Sequence, residues 1–192
     1  MLWVTSQTRP DLSFETCMIS NTGKNPKVSL LCEANKALSK LKKDRVCLHF
    51  PSLGDYRKLS VIVYCDATHV SMADGSSHGG HIVFLKGANG MVVPISWQSK
   101  RLVRVTKSPM ASETLSLGEG ADSGFLVSSL VCEIFNLPVL PPVICYTDNK
   151  SLMDTLETTY VITDRRLRVD VARLREMIAE KEIIVCWVEG KQ

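Results

Sequence analysis

An α/β domain built on a mixed sheet is the fold class that this sequence predicts, and three observations predict it. Alternating, β-branched runs at residues 60–68, 81–85 and 91–97 follow one another with only short loops between them, the pattern of an antiparallel meander. Two later apolar runs, 143–148 and 183–188, are each preceded by long helix-periodic stretches, the spacing of crossover connections. The 192 residues are 45% hydrophobic with a formal net charge of +3, which suits one buried core and excludes a disordered chain.

Taken in order, the elements begin with a helical hairpin. Pro10 with Asp11 behind it suits a helix start, with Leu12, Met18 and Ile19 on one face. Asn21 to Pro26 breaks that pattern. A second helix over 28–43 carries Leu30, Leu31, Ala34, Leu38 and Leu41 at helical spacing, with lysines opposite. The turn-rich stretch 50–55 then sets a boundary, dividing a helical segment, 1–49, from a main domain, 50–192.

In the main domain the strand 60–68 comes first. A loop of small and polar residues, 71–80, leads to the strand 81–85, Asn89-Gly90 makes a hairpin turn, and 91–97 returns. Pro94 limits ladder pairing and places that strand at an edge. Ser108-Pro109 forms an N-cap and first helical position, opening a helix to about residue 135. Leu115, Leu126, Leu130 and Ile134 are among its expected buried positions, and Gly118, Gly120 and Gly124 weaken it. Pro138, Pro141 and Pro142 stop it before the fourth strand, which ends in Asp148; a helix begins at Asn149, and another carries Leu167, Val171, Leu174 and Ile178 before the last strand. In open α/β sheets, sites gather at strand carboxyl ends where the strand order reverses. Here that point lies between the first and fourth strands, beside Asp66 and Asp148.

Composition narrows the function classes. No apolar run approaches the roughly 18 residues of a membrane span, and the N-terminus lacks a signal-peptide pattern, so an intracellular protein without a membrane partner is expected. Seven scattered cysteines without a Cys-x-x-Cys pair argue against a zinc site and a disulfide framework, and read as buried reduced thiols. His78 and His81 flank Gly79-Gly80 and read as loop or strand-edge residues rather than ligands. Basic clusters at 40–45, 100–104 and 165–168 suit either solvated faces or phosphate contacts.

The chemistry rests on acids. Asp66 stands in the middle of a strand that reads as buried, where an ionised carboxylate needs a cation, a metal or several donors. Glu113 in the first turns of the long helix and Asp148 at the end of the fourth strand are placed to join it, and Glu113 gains from the helix N-terminus in its ionised form. Taken singly, Glu113 suits a solvated helix acid and Asp148 a helix cap. Gathered acids need a compensating cation, and Mg²⁺ takes such oxygen ligands. Two such ions about 3.5–4 Å apart can activate a water and stabilise the leaving oxygen of a phosphodiester. Asp170, with Arg166 and Arg173 at helical spacing, reads as half of a surface ion pair.

The ordered words Tyr64-Cys65-Asp66-Ala67, Ile95-Ser96-Trp97-Gln98-Ser99-Lys100, Ser112-Glu113 and Tyr146-Thr147-Asp148-Asn149-Lys150-Ser151 resemble the ribonuclease H domain of copia-type LTR-retrotransposon polyproteins. Leu2-Trp3-Val4 with Thr8-Arg9-Pro10-Asp11-Leu12-Ser13-Phe14 resembles the end of the reverse transcriptase region before it. The resemblance implies a ribonuclease H-like mixed five-stranded sheet, flanked by helices and preceded by a short helical segment. It implies metal-dependent hydrolysis of the RNA strand of an RNA–DNA hybrid, with Asp66, Glu113 and Asp148 as catalytic metal ligands to two Mg²⁺ ions, Mn²⁺ being a possible substitute. Partners would be the hybrid and the reverse transcriptase portion of the parent polyprotein, in the cytoplasm or within virus-like particles. Lys100, Arg101 and Arg104 are candidate contacts to the nucleic acid. The family usually carries a fourth carboxylate in a helix after the last strand, and that ligand is expected to be missing from a main domain truncated at Gln192. Two alternatives stay open: a catalytically impaired, transposon-derived remnant that binds nucleic acid without cleaving it, and a nuclease of the same fold with another substrate.

Overall fold

The structure, a computed structural model, describes residues 1–21, 27–71, 75–158 and 162–190. Most of the expected break at 21–26, the middle of the 71–80 loop and the terminal Lys191 and Gln192 lie outside the described residues.

Five strands form one sheet in the order β3-β2-β1-β4-β5. They are β1 (Ser60–Thr68), β2 (His78–Lys86), β3 (Val92–Arg101), β4 (Val143–Thr147) and β5 (Ile183–Trp187). β1, β2 and β3 pair antiparallel, whereas β1 with β4 and β4 with β5 pair parallel. This is the mixed sheet expected from the sequence, and β3 with its Pro94 lies at an edge. β2 starts earlier and β3 ends later than expected, because the pairing runs on through Thr68, His78 and Arg101. Gly79-Gly80, turn-like in composition, is held in the strand, where a Cβ on Gly79 would stand 2.9 Å from Leu102 Cδ2. His78 and His81 are therefore buried strand residues, not loop or edge positions, and burial lowers the pKa of both imidazoles. His78 Nε2 lies 2.7 Å from Ser99 Oγ.

The helix α4 (Pro109–Phe135) packs under the sheet, and its buried face is not the expected one. Leu126, Leu130 and Ile134 are exposed, and Leu115 is only half-buried. The face against β1 is instead a stripe of small residues at every fourth position: Ser112, Ser116, Gly120, Gly124 and Ser128 are all buried. Bulk would keep the helix away. A Cβ on Gly124 would come 2.6 Å from Val63 Cγ2 and 2.8 Å from Val143 Cγ1, and one on Gly120 would collide with Cys65 Sγ. Leu117, Ala121, Val127 and Val131 complete the core beside Val61, Val63 and Val83. The glycines thus weaken the helix locally but permit its closest approach to the sheet.

On the remaining flank, α5 (Lys150–Glu157) and α6 (Arg165–Ala179) connect β4 to β5. Leu167, Val171 and Leu174 are buried as expected, with Ile178 packed against the core. Asp170 takes a different partner from those expected: Arg104 forks onto it at 2.9 and 2.7 Å, while Arg173 pairs with Asp122. A long-range partner with bidentate geometry has displaced the neighbours one turn away.

The N-terminal segment comprises α1 (Leu2–Gln7), an additional helix before the expected hairpin, a 3-10 turn at Pro10–Leu12, α2 (Ser13–Ser20) and α3 (Val28–Lys43). In α3 only Ala37 is fully buried and Leu31 and Leu38 face solvent, so the apolar line runs through Leu30, Ala34, Ala37 and Leu41. Arg9 closes the segment. Buried and forked onto Asp11, it also donates to the carbonyls of Leu41 and Asp44 at the end of α3, groups without partners inside the helix. The segment touches the sheet through Trp97 Nε1, which donates to the Thr5 carbonyl at 2.7 Å, and through Phe14, edge-on to His78 at 5.0 Å. All seven cysteines are free; Cys17, Cys65 and Cys145 are buried, but Cys32 and Cys47 are exposed, contrary to a wholly buried set. Among the described residues no helix is long and apolar enough to cross a membrane.

Candidate metal centre

Parallel pairing of β1 with β4 places Tyr64 opposite Tyr146, so two residues further on Asp66 and Asp148 come side by side at the carboxyl ends of the strands. The strand is buried, but Asp66 is not. Val61, Val63 and Cys65 point at α4, while Tyr64 and Asp66 alternate to the other face, where Asp66 is exposed. Tyr64 stacks there on Tyr146 with ring centroids 5.0 Å apart. Asp148 is also exposed, and it is not the cap of α5: Asn149 is, its Oδ1 accepting from the Leu152 N–H at 2.9 Å.

The costly position belongs to Glu113. Only 6% exposed, it reaches from α4 to the end of β1, where Oε1 accepts from the Ala67 N–H at 3.1 Å. Oε2 has no hydrogen-bond partner among the described residues. Carboxylate oxygens of Asp66, Glu113 and Asp148 all lie within 4.8 Å of one another, a group able to hold a metal ion. Burial, and then the charge of Asp66, push the Glu113 carboxyl up to about 7; the Ala67 N–H works against them, and Asp148 adds to the rise. The expectation that the helix N-terminus favours its ionised form is overturned by this balance. α4 begins at Pro109, so Glu113 lies beyond the first turn, where the dipole has faded. Nor is it a solvated helix acid. An orphaned, buried carboxylate oxygen facing two further carboxylates fits a divalent cation.

Local structure explains the placement. Ser108 Oγ accepts from the Ala111 N–H at 3.2 Å and Pro109 sets the first helical position, which fixes where α4 begins. Ser116 Oγ lies 2.9 Å from the carbonyl oxygens of both Asp66 and Gly80, to which it donates. Gly80 sits opposite Asp66 in the register, so no side chain crowds that carboxylate from β2. A groove of about 570 Å³ runs from Asp66 and Asp148 past Tyr64 and Tyr146 to Phe14 and Trp97. Ser116 has no local sequence signature beyond its place in a four-residue repeat of small residues. Of the basic candidates, Lys100 Nζ lies 3.0 Å from Glu119 and Arg104 is held by Asp170, both still partly exposed. Arg101, at the end of β3, is exposed.

No family model matches the chain. A sequence relative is a putative transposon Ty5-1 protein of Saccharomyces cerevisiae, 32% identical over 111 residues, which make up 57% of this chain and 33% of the relative. The chain therefore matches about a third of the length of its curated relative. Among solved structures, the foamy viral protease-reverse transcriptase in complex with RNA/DNA hybrid is 10% identical, with a TM-score of 0.51 over 88% of this chain and 24% of that one. RNase H1 from the halophilic archaeon Halobacterium salinarum NRC-1 is 16% identical, with a TM-score of 0.47 over 68% of this chain and 86% of its own. The architecture is that of the ribonuclease H-like fold. The fold is thus shared with a stretch of the foamy viral structure, and over 111 residues the sequence is similar to that of a transposon protein.

Proposed function

We propose that the chain is a ribonuclease H-type endonuclease domain of a copia-type element, hydrolysing the RNA strand of RNA–DNA hybrids. The observation that carries this reading is the buried, half-satisfied Glu113 facing Asp66 and Asp148. Those three residues would hold two Mg²⁺ ions, for which Mn²⁺ can substitute. The ions, when bound, supply Lewis-acid stabilisation of charge developing on a phosphodiester. The protein's own part is positional. Asp66 and Asp148 present oxygens to the groove, Glu113 supplies a third from beneath, and the bare backbone at Gly80 leaves the strand surface beside Asp66 open to a sugar–phosphate chain. Lys100, Arg101 and Arg104 are assigned to phosphate contacts, with 2′-hydroxyl recognition selecting the RNA strand. Residues 1–49 are assigned to the end of a reverse transcriptase region, the remainder of which would be a partner in the parent polyprotein.

Mg²⁺-dependent cleavage of a hybrid labelled on its RNA strand tests the reading, and Asp66→Asn is expected to abolish it. Equal activity in that variant sinks the assignment. The alternative outcome is a domain that binds the hybrid without cutting it. Hybrid binding without cleavage in Mg²⁺ or Mn²⁺ would select that alternative.

A further inference from the structure

Beyond the three acids, the end of β1 and the start of α4 are tied by a polar cluster. His69 Nδ1 lies 3.2 Å from Thr106 Oγ1, 3.2 Å from Ser112 Oγ and 3.4 Å from Ser77 Oγ. The hydroxyls also bond one another, Ser112 Oγ donating to Thr106 Oγ1 at 2.8 Å and Ser77 Oγ lying 2.7 Å from Thr106 Oγ1. Ser77 and Ser112 are buried. Four segments meet at this point: the residue after β1, the start of β2, the strap between β3 and α4, and the first turn of α4.

The cluster adjoins the acids without containing one. Ser112 precedes Glu113, and His69 follows Ala67 by two residues, so the bridge from His69 to Ser112 runs beside the bond from Ala67 N–H to Glu113 Oε1. The chain bends sharply to bring His69 there. Val70 holds a φ of 49°, a left-handed conformation that a β-branched residue rarely adopts, and its N–H donates to Ser77 Oγ at 3.1 Å. Backbone strain of this kind persists only where the surroundings enforce it. The strap is itself fixed from outside through Arg104 on Asp170 and Lys107, 3.4 Å from Asp164.

We propose that His69, acting through Ser77, Thr106 and Ser112, is a positioning residue that holds Glu113 against Ala67 and so sets the spacing of the three carboxylates. Its value to catalysis rests on the metal-centre reading above, but its geometric effect does not. Groups that orient ligands from behind typically change metal affinity or activity about 10–100-fold when removed.

Two measurements on the full chain, in His69→Ala and His69→Asn, decide the matter. Asn can place an oxygen where Nδ1 stands. In the metal-free protein, amide hydrogen exchange at Ala67 is expected to quicken about tenfold or more in His69→Ala, with the amides of Val63 and Val83 unchanged, and to recover in His69→Asn. Mn²⁺ binding, followed by paramagnetic resonance of the free ion, is expected to weaken about tenfold in His69→Ala and to recover in His69→Asn. Unchanged exchange at Ala67 in His69→Ala overturns the inference. So does a general rise in exchange at Val63 and Val83, which marks a structural role alone. A wild-type protein that binds no Mn²⁺ defeats the metal-centre reading instead, and the exchange measurement still decides for or against positioning. Thr106→Val, which removes the central hydroxyl while leaving the imidazole, is expected to reproduce the Ala67 effect.

Discussion

Without divalent ions, Glu113→Gln is expected to gain stability relative to the wild type as the pH rises. The folded protein keeps the Glu113 proton up to about pH 7, whereas the unfolded chain releases it near the ordinary 4.5. Below 4.5 both states are protonated, and the stabilisation from tighter proton binding in the fold is fully present. Between 4.5 and about 7 the unfolded chain ionises first, so the wild type loses stability, and above about 7 the loss is complete. At roughly 1.36 kcal/mol for each tenfold change in proton affinity, the loss is on the order of 3 kcal/mol. That is a large share of the 5–15 kcal/mol or so that holds a typical domain together. Urea unfolding of both proteins in a chelator, stepped from about pH 4.5 to about pH 8.5, reads the difference directly and cancels other titrating groups such as His78 and His81. Saturating Mg²⁺ is then expected to restore the wild type at the alkaline end, since a ligand of the folded state alone stabilises it by mass action. A wild-type-minus-variant difference that stays flat across the window would refute the burial argument. Restoration of the Gln variant to the same extent would refute the part assigned to Glu113 in holding the ion.

The remaining predictions concern packing and surface. Gly124→Ala places a methyl 2.6 Å from Val63 Cγ2 and is expected to destabilise by about 1–3 kcal/mol in urea titrations, despite its better helix propensity. Gly118→Ala, whose Cβ meets nothing within 4 Å, is expected to stabilise by about 0.5–1 kcal/mol in the same assay; matching signs would mean that the helix face is misassigned. A double-mutant cycle with Arg104→Ala and Asp170→Ala is expected to give a coupling of about 0.5–1 kcal/mol, since the pair is bidentate but partly exposed. Zero coupling would mean that the pair adds nothing to stability. Asn149→Ala removes the α5 cap and is expected to cost about 1 kcal/mol in thermal unfolding.

The antiparallel meander, the edge position of β3 and the place of the site between the first and fourth strands were legible because β-branched alternation, the Asn89-Gly90 turn and Pro94 each carry a local physical constraint. Residues 28–43 formed the expected helix because its ends and period agree. The buried face of α4 departs from the pattern for a reason specific to it: hydrophobic periodicity selects Leu126, Leu130 and Ile134, but the sheet demands close approach, which only Ser, Gly and Ala allow. The site shows the same division. Asp66, Glu113 and Asp148 could be picked out as a set, yet which of them is buried depends on strand alternation and on where α4 begins, so the burden assigned to Asp66 falls on Glu113. Partners brought from far along the chain, such as Arg104 for Asp170 or Thr106 for His69, leave no trace in local spacing.

The central position of β1 also has a consequence in time. Its antiparallel pairing with β2 joins residues 60–68 to 78–86 across a short connection, so the meander closes small loops and is expected to form early. Pairing of β1 with β4 joins Val61 to Val143, a closure across a far longer stretch of chain that is expected to come after α4 has formed. Asp66 and Asp148 meet only at that step. The ability to capture a cation is thus expected to appear as one of the last events of folding, and pulse-labelled hydrogen exchange should show β2 and β3 protected before Mn²⁺ uptake begins.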